Sequence, residues 1–241
     1  MPCAAALQPS IRRLRCQLVI SMATEMPSNS ANCRAVSTML RSLLLPKLYT
    51  PPGRAKLVAF SSDQVYSGAA QEGPLPETLS LSPSNIYGQH KLEAEQRVLE
   101  VLPDAVFLRV PWMYDLPGYQ LPIRGNLPLN LLRAALKGET VRFSRNDFRG
   151  VTYVRQVIEN LEPAMELPGG VYNFGSGNAE DMVCTARRFA KALGITVKIT
   201  EESWERNLVM DAAKLERSGI RFAATQQGIR CCLRDYGLSD L

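Results

Sequence analysis

Residues 56–63 read KLVAFSSD, and residues 83–91 read PSNIYGQHK. The first stretch predicts a buried parallel strand over residues 56–60, because it is a short apolar run whose carboxyl end turns polar. The second stretch can start a helix that runs to about Val101, and residues 105–110 form the next apolar run. A strand, a helix and a second strand make the crossover unit that parallel neighbours need. These stretches therefore predict an α/β fold.

The same alternation continues on both sides of this unit. Apolar spacing and the positions of Asn, Pro and Gly predict helices at residues 32–45, 128–137, 154–161 and 180–193, and strands at residues 140–143, 171–174 and 195–199. Between them, residues 111–126 are irregular and rich in Pro, Gly and Asn. The whole pattern predicts a Rossmann-like, mainly parallel sheet.

Composition places the chain among ordinary globular proteins. Its 241 residues are 46% hydrophobic and 21% charged, and the net charge of +5 arises without a block of like charges. No run of about 18 apolar residues occurs, so we expect no membrane span. Because the charges form no block of one sign, we also expect no nucleic-acid partner. The six cysteines show no C-x-x-C spacing and His90 is the single histidine, so no metal site is expected. The cysteines are typical of reduced intracellular thiols.

Residues 1–31 differ from the rest of the chain. They contain no acidic residue before Glu25, and three arginines lie within residues 12–15. This is the composition of a transit peptide, and a loosely packed or disordered tail explains it equally well. We therefore expect an intracellular protein that is cytoplasmic or, if residues 1–24 act as a transit peptide, located in a mitochondrion or plastid.

Tyr87 and Lys91 stand four residues apart in the predicted helix. Residues at this spacing share one helix face, with Cβ atoms about 5–6 Å apart. A lysine ammonium beside a phenol favours the phenolate, so we expect Lys91 to lower the pKa of Tyr87 and make it a usable proton donor or acceptor. An isolated Y-x-x-x-K match is common, and a packed tyrosine beside a solvated lysine is the alternative interpretation.

Three motifs follow one another in the chain: SSDQVYSG at residues 61–68, PSNIYGQHK at residues 83–91 and LRVPWMY at residues 108–114. The first lies at the carboxyl end of a strand, where open α/β sheets place their ligands. With these motifs the chain resembles the extended short-chain dehydrogenases/reductases of the dTDP-4-dehydrorhamnose reductase type, a family that also includes the regulatory β subunit of methionine adenosyltransferase. The resemblance runs from about Asn32 to the carboxyl terminus.

The resemblance implies a catalytic set of Ser62, Tyr87 and Lys91. Tyr87 would protonate the carbonyl oxygen during hydride transfer, and Lys91 would bind the nicotinamide ribose beside it. Ser62 would hold the substrate oxygen, and Asp63 and Trp112 would contact the substrate. From the residues alone, Trp112 can instead be a core aromatic, and Asp63 can instead belong to a loop ion pair.

The chain departs from the family pattern in its cofactor turn. Family members open with a G-x-x-G-x-x-G turn that holds the pyrophosphate, and this spacing occurs nowhere in the 241 residues. Gly175-Ser176-Gly177 imitates the turn but lacks its third glycine. We therefore expect a Rossmann core truncated at its amino-terminal half, at residues 32–110, and an RmlD-like, epimerase-like substrate lobe largely at residues 111–241. Binding of NADP or NAD is expected to be weak or absent.

The function that the resemblance implies is NAD(P)H-dependent reduction of a 4-keto nucleotide sugar. Two alternatives stay open: a non-catalytic regulatory subunit of methionine adenosyltransferase, and an inactive truncated isoform. The partner would be the methionine adenosyltransferase catalytic subunit in the first alternative, and a homo-oligomer is the other assembly to expect. The Ser62, Tyr87 and Lys91 set favours an enzyme, whereas the missing glycine turn favours a binding role.

Overall fold

The computed structural model describes residues 56–117 and 125–238. The predicted helix at residues 32–45 and the predicted leader or tail at residues 1–31 lie outside these ranges. Within them the chain forms nine strands, which are β1 (Val58–Ser62), β2 (Val106–Val110), β3 (Trp112–Tyr114), β4 (Thr140–Ser144), β5 (Asp147–Arg149), β6 (Val151–Tyr153), β7 (Gly170–Asn173), β8 (Lys198–Glu202) and β9 (Arg206–Leu208).

Seven α-helices alternate with these strands in the described ranges. They are α1 (Ile86–Val101), α2 (Leu127–Lys137), α3 (Val154–Glu159), α4 (Leu161–Met165), α5 (Met182–Ala192), α6 (Ala213–Arg217) and α7 (Thr225–Asp235). A 3-10 turn, Asp63–Tyr66, follows β1 directly.

The strands pair in parallel throughout the described chain. β1, β2 and β7 form a three-stranded sheet in that order, with Val58 opposite Val106 and Val106 opposite Gly170. Three further parallel pairs, β3 with β6, β4 with β8 and β5 with β9, lie in the second half of the chain. The predicted α/β class with a mainly parallel sheet is therefore confirmed. Because β7 pairs with β2, the segment after residue 111 also contributes a strand to the central sheet.

Helix α1 begins where its sequence provides a cap. The side chain of Asn85 accepts a hydrogen bond from the Gly88 backbone N–H at 2.7 Å, which satisfies one of the free N–H groups of the first turn. The helix ends at Val101, two residues before Pro103. It matches the predicted helix, and it places Tyr87 and Lys91 within its first two turns.

Four apolar clusters hold the described chain together, and two of them are large. One lies under the central sheet and includes Leu108, Tyr172 and Phe174. The other lies between α2, α5 and α7 and includes Leu131 and Phe189, which are both fully buried. The apolar stripe predicted for the helix at residues 180–193, which is α5, faces this second core, and α2 packs there through Leu127 and Leu131.

A buried ion pair joins α1 to the middle strand of the sheet. Arg109 on β2 donates from Nε and Nη2 to the two carboxylate oxygens of Glu95 at 3.0 and 2.6 Å, and the two side chains are 3% and 2% exposed. Arg109 also donates to the Tyr66 hydroxyl at 2.8 Å, and that hydroxyl donates to Asn173 Oδ1 on β7 at 2.8 Å. This network fixes α1, and with it Tyr87, against the sheet.

The structure differs from the sequence predictions at several short elements. The helix predicted at residues 154–161 is two helices, α3 and α4, which meet at Asn160. The strand predicted at residues 195–199 lies three residues later, as β8, because Ile195 and Val197 pack against the core before strand pairing begins. Strands β3, β5, β6 and β9 have only three residues each, which is too short for a periodic pattern to predict.

The Gly175-Ser176-Gly177 stretch has a packing role at its first glycine. A Cβ on Gly175 would lie 2.9 Å from Thr152 Oγ1 and 2.6 Å from Pro111 Cγ, so the backbone approaches β6 more closely than a side chain allows. The interpretation of this stretch as an ordinary connection, and not a phosphate turn, agrees with that contact.

We expect Gly88→Ala to destabilise the protein. A Cβ there would overlap the Gln64 carbonyl oxygen and lie 2.9 Å from Pro83 Cβ, so overpacking of about 1–3 kcal/mol should outweigh the roughly 1 kcal/mol that alanine gains in a helix. Urea unfolding measures the change. Gly177→Ala, with no atom within 4 Å of its Cβ, is the control and should change stability by less than about 0.5 kcal/mol. Equal stability of the two variants would contradict the close contact.

We expect Glu95→Ala to reduce the free energy of unfolding by about 3–5 kcal/mol, because it leaves the Arg109 guanidinium buried without its carboxylate. Glu93→Ala is the matched control, since Glu93 pairs with Arg97 on the exposed face of the same helix and should cost less than about 1 kcal/mol. Thermal and urea unfolding of both variants measure this difference. Similar losses of unfolding free energy in Glu95→Ala and Glu93→Ala would show that the buried pair stabilises the protein no more than the exposed one.

Candidate active site

The carboxyl end of β1 carries the first group of site residues. Ser62 is buried, and its Oγ accepts a hydrogen bond from the Gln64 backbone N–H at 3.2 Å, which starts the 3-10 turn. The same hydroxyl donates to Asp63 Oδ1 at 3.1 Å. At the predicted polar end of this strand Ser62 and Asp63 thus have defined partners, whereas the buried Ser61 hydroxyl has no hydrogen-bond partner among the described residues.

Tyr87 and Lys91 on α1 face this strand end. The Ser62 side chain lies close enough to the Tyr87 hydroxyl to lower its pKa, and Lys91 Nζ lies 5.7 Å from the centroid of the Tyr87 ring. Lys91 Nζ also donates to the Phe60 carbonyl oxygen of β1 at 3.1 Å. The structure therefore brings Ser62, Tyr87 and Lys91 together from one strand and one helix.

The pKa of Tyr87 departs from the direction that the spacing predicts. Burial raises it, the hydrogen bond with Ser62 opposes that rise, and the charge of Asp63 adds to it. The predicted lowering by Lys91 is therefore wrong. Burial is the largest influence on this pKa, and the Lys91 ammonium donates to a backbone carbonyl of β1.

Lys91 is itself affected by burial. Burial lowers its pKa, and the carboxylate of Glu95, one turn further along α1, raises it in opposition. The Glu95 that anchors α1 to Arg109 thus also supports the charged form of Lys91. Its hydrogen bond to Phe60 uses one of the three N–H donors of the ammonium, so the others can reach a ligand hydroxyl.

Asp63 is not a free group. Its Oδ2 accepts a hydrogen bond from Arg149 Nη2 at 2.7 Å, and the two side chains are only 2% and 11% exposed. Of the two interpretations that the sequence allows, ion pair or substrate contact, the structure has the ion pair. Sequence reasoning did not find Arg149, because it lies 86 residues from Asp63 and carries no local motif.

Trp112 lies on the other side of Arg149. It opens β3, it is partly buried, and its ring centroid is 5.5 Å from Arg149 Cζ. It also packs against the core between α2, α5 and α7. Trp112 is therefore both a core aromatic and a neighbour of the charged pair next to Ser62.

This arrangement suits donation of a proton to a carbonyl oxygen. A tyrosine whose pKa is raised stays protonated at neutral pH, which is the form that an acid needs, and Ser62 offers a second hydroxyl beside it. No group of three His, Cys, Asp or Glu side chains that could hold a metal occurs in residues 56–117 and 125–238. Among those residues there is also no helix that is long and apolar enough to cross a membrane.

Comparison with solved structures shows the same fold elsewhere. A dTDP-4-dehydrorhamnose reductase from Bacillus anthracis, in complex with NADP, superposes with a TM-score of 0.71 at 18% identity, over 90% of this chain and 79% of that one. A UDP-N-acetylglucosamine 4-epimerase from Bacillus cereus superposes with the same TM-score and identity, over 96% of this chain and 81% of that one.

Sequence relatives include both kinds of protein that the motifs suggested. The chain is 23% identical over 205 residues to a dTDP-4-dehydrorhamnose reductase of Salmonella typhimurium, covering 80% of this chain and 66% of that protein. It is 28% identical over 184 residues to the methionine adenosyltransferase 2 subunit beta of Xenopus tropicalis, covering 69% of this chain and 53% of that protein. The chain thus spans about half to two thirds of the length of these relatives.

The family itself follows from a match over most of the chain. The RmlD substrate binding domain matches residues 50–233, a range that contains Ser62, Tyr87 and Lys91 and both large apolar clusters. By this match, the chain belongs to the RmlD substrate-binding family.

Proposed function

We propose that the chain belongs to an NAD(P)H-dependent reductase that acts on a 4-keto nucleotide sugar, with Tyr87 as the acid. The observation that carries this proposal is the meeting of Tyr87, Ser62 and Lys91 at the end of β1. The reductase names of several relatives in the same family supply the substrate class.

Each of the three side chains has a distinct role in this reaction. Tyr87 donates a hydrogen bond to the carbonyl oxygen of the substrate and transfers its proton to that oxygen as the alcohol forms, and the Ser62 hydroxyl turns to that oxygen in the same step. Lys91 holds the nicotinamide ribose by its unused N–H groups and stabilises the phenolate that remains. Trp112 lines the sugar side of the site, next to the Asp63 and Arg149 pair.

The nicotinamide cofactor, when bound, supplies the hydride to the carbonyl carbon. Tyr87 and Lys91 fit its ribose end, because the tyrosine is 41% exposed and the lysine retains free donors. The pyrophosphate end has no matching glycine turn in this sequence. The residues of this chain therefore support the nicotinamide half of the cofactor and not the phosphate half.

We expect Tyr87→Phe to lower the rate of 4-keto sugar reduction by about 10²–10⁴-fold, since it removes the proton donor and leaves the ring. The assay follows NADPH absorbance at millimolar NADPH with dTDP-4-dehydrorhamnose as substrate. Tyr236→Phe is the control, because this exposed tyrosine donates to Asp115 and contacts none of Ser62, Tyr87 and Lys91 in the hydrogen bonds of the described residues. A measurable wild-type rate that Tyr87→Phe leaves unchanged would contradict the role of Tyr87.

We expect the purified chain alone to bind NADPH with a dissociation constant no tighter than millimolar. A glycine turn offers backbone N–H groups to the pyrophosphate, and two or three missing charge-assisted hydrogen bonds of about 1.5–3 kcal/mol each cost three or more decades of affinity. Activity is then expected only when a phosphate-binding turn from outside these 241 residues completes the cofactor site. Isothermal calorimetry gives the constant, and a micromolar value would restore an ordinary reductase.

A second candidate function is a regulatory subunit of methionine adenosyltransferase. The relative from Xenopus tropicalis favours it, because it matches 69% of the chain at a higher identity than the Salmonella reductase does. In that role the fold is a docking surface, and co-sedimentation with the methionine adenosyltransferase catalytic subunit should be the same for wild type and Tyr87→Phe. Binding without reductase activity would favour this candidate over the first.

A further inference from the structure

Arg149 connects two parts of the molecule that are far apart in the sequence. It closes β5, and its Nη2 reaches Asp63 Oδ2, just after β1, at 2.7 Å. The Arg149 and Asp63 side chains are 11% and 2% exposed, so solvent screens their charges poorly. Asp63 Oδ1 accepts a hydrogen bond from Ser62, whose side chain lies close enough to Tyr87 to lower the pKa of that phenol.

The geometry of this pair leaves one Asp63 oxygen for Ser62. Arg149 engages Oδ2 through a single nitrogen, and Oδ1 accepts the hydrogen bond from the Ser62 hydroxyl at 3.1 Å. Trp112 lies against the guanidinium, and Arg149 Nε is buried without a hydrogen-bond partner among the described residues. The guanidinium is therefore held where Nη2 donates to Asp63 while Nε makes no hydrogen bond within the described residues.

Ser62 has one proton and two acceptors that compete for it. While Tyr87 is protonated, the Ser62 hydroxyl donates to Asp63. Once Tyr87 has given its proton away, the phenolate and the new alcohol oxygen are better acceptors for Ser62. The strength with which Asp63 holds the Ser62 proton therefore affects the step, and that strength depends on how far the Asp63 charge is neutralised.

We propose that Arg149 is a positioning residue for the Ser62 and Tyr87 pair: it neutralises Asp63, so that the Ser62 hydroxyl can turn from Asp63 to the reacting oxygens as Tyr87 gives up its proton. In this step the Tyr87 O–H bond breaks and the O–H bond of the alcohol forms, with the hydride supplied by NAD(P)H. Ser62 keeps its proton and changes only its acceptor. The inference rests on the proposed function, because it concerns the same proton donor.

The proposal has a consequence for the titration of Tyr87 that does not need turnover. The charge of Asp63 raises the pKa of Tyr87, and Arg149 offsets that charge at short range. Among the described residues, Lys91 is the other charged group near Tyr87, and burial lowers its own pKa, which the carboxylate of Glu95 on α1 raises in opposition. Arg206 on β9 forms an ion pair with Asp147 and also interacts electrostatically with Asp63. These groups stay unchanged when only Asp63 and Arg149 are substituted.

The test follows each tyrosine of the full chain by NMR with ¹³Cζ-labelled tyrosine, and Tyr87→Phe assigns the Tyr87 signal. We expect Asp63→Asn to lower the pKa of Tyr87 by about one unit, because the Arg149 charge then has no partner. Arg149→Gln should raise it by a similar amount, Arg149→Lys should leave it near the wild-type value, and the Asp63→Asn, Arg149→Gln double variant should return it close to wild type. Arg145→Gln, which removes a charge paired with exposed Glu201, is the control.

Two results would overturn the proposal. The first is an unchanged Tyr87 titration in Asp63→Asn when circular dichroism shows a folded protein. The second is a lower melting temperature in Arg149→Gln with an unchanged Tyr87 titration, because loss of an arginine with only a structural role would have this effect. If Arg149→Gln does not fold, Asp63→Asn and Arg149→Lys still decide the question. If the protein reduces no sugar but the variants show the expected Tyr87 titrations, the proposed function is wrong and the charge coupling between Asp63, Arg149 and Tyr87 still holds.

Discussion

The buried pair of Arg109 and Glu95 is the interaction on which the candidate site depends. It joins the middle strand of the central sheet to the helix that carries Tyr87 and Lys91, and both side chains are almost completely enclosed. A buried charge pair of this kind is costly to desolvate, and it is retained here with a full set of partners, since Tyr66 and Asn173 extend it to the third strand. The result is one polar network that crosses the sheet and reaches Lys91 through Glu95.

The candidate site holds most of its charges in ion pairs. Asp63 and Arg149 neutralise each other next to Ser62, Arg109 and Glu95 neutralise each other where α1 meets β2, and Lys91 donates to the Phe60 carbonyl oxygen of β1. Tyr87 is therefore surrounded by compensated charges, and burial is the largest influence on its pKa. A phenol in such surroundings stays protonated at neutral pH.

Local sequence patterns predicted the parts of the fold that depend on local physics. The cap at Asn85, the helix to Val101 and the parallel strand that ends in serines all follow from side-chain chemistry within a few residues. The position of Ser62 beside Tyr87 came from the order of family motifs. The partners of Asp63 and Arg109 could not be predicted, because Arg149 comes from a three-residue strand 86 residues away and Glu95 lies 14 residues before Arg109 with no distinguishing spacing. The pKa of Tyr87 was mispredicted for the same reason, since burial is a property of the whole fold.

The parallel pairing of every strand in the described chain determines how it must fold. Each pair joins segments that are distant along the chain, from Trp112 with Val151 at the short end to Val106 with Gly170 at the long end. Each of these long loops loses conformational entropy when it closes, and strand pairing offsets this loss only afterwards. Topologies with few local strand contacts therefore fold slowly. The central strand β2 is apolar along most of its length and stays exposed during that search. Rapid refolding at high concentration would therefore lead this protein to aggregate, and dilute, slow refolding would be the route to the native state.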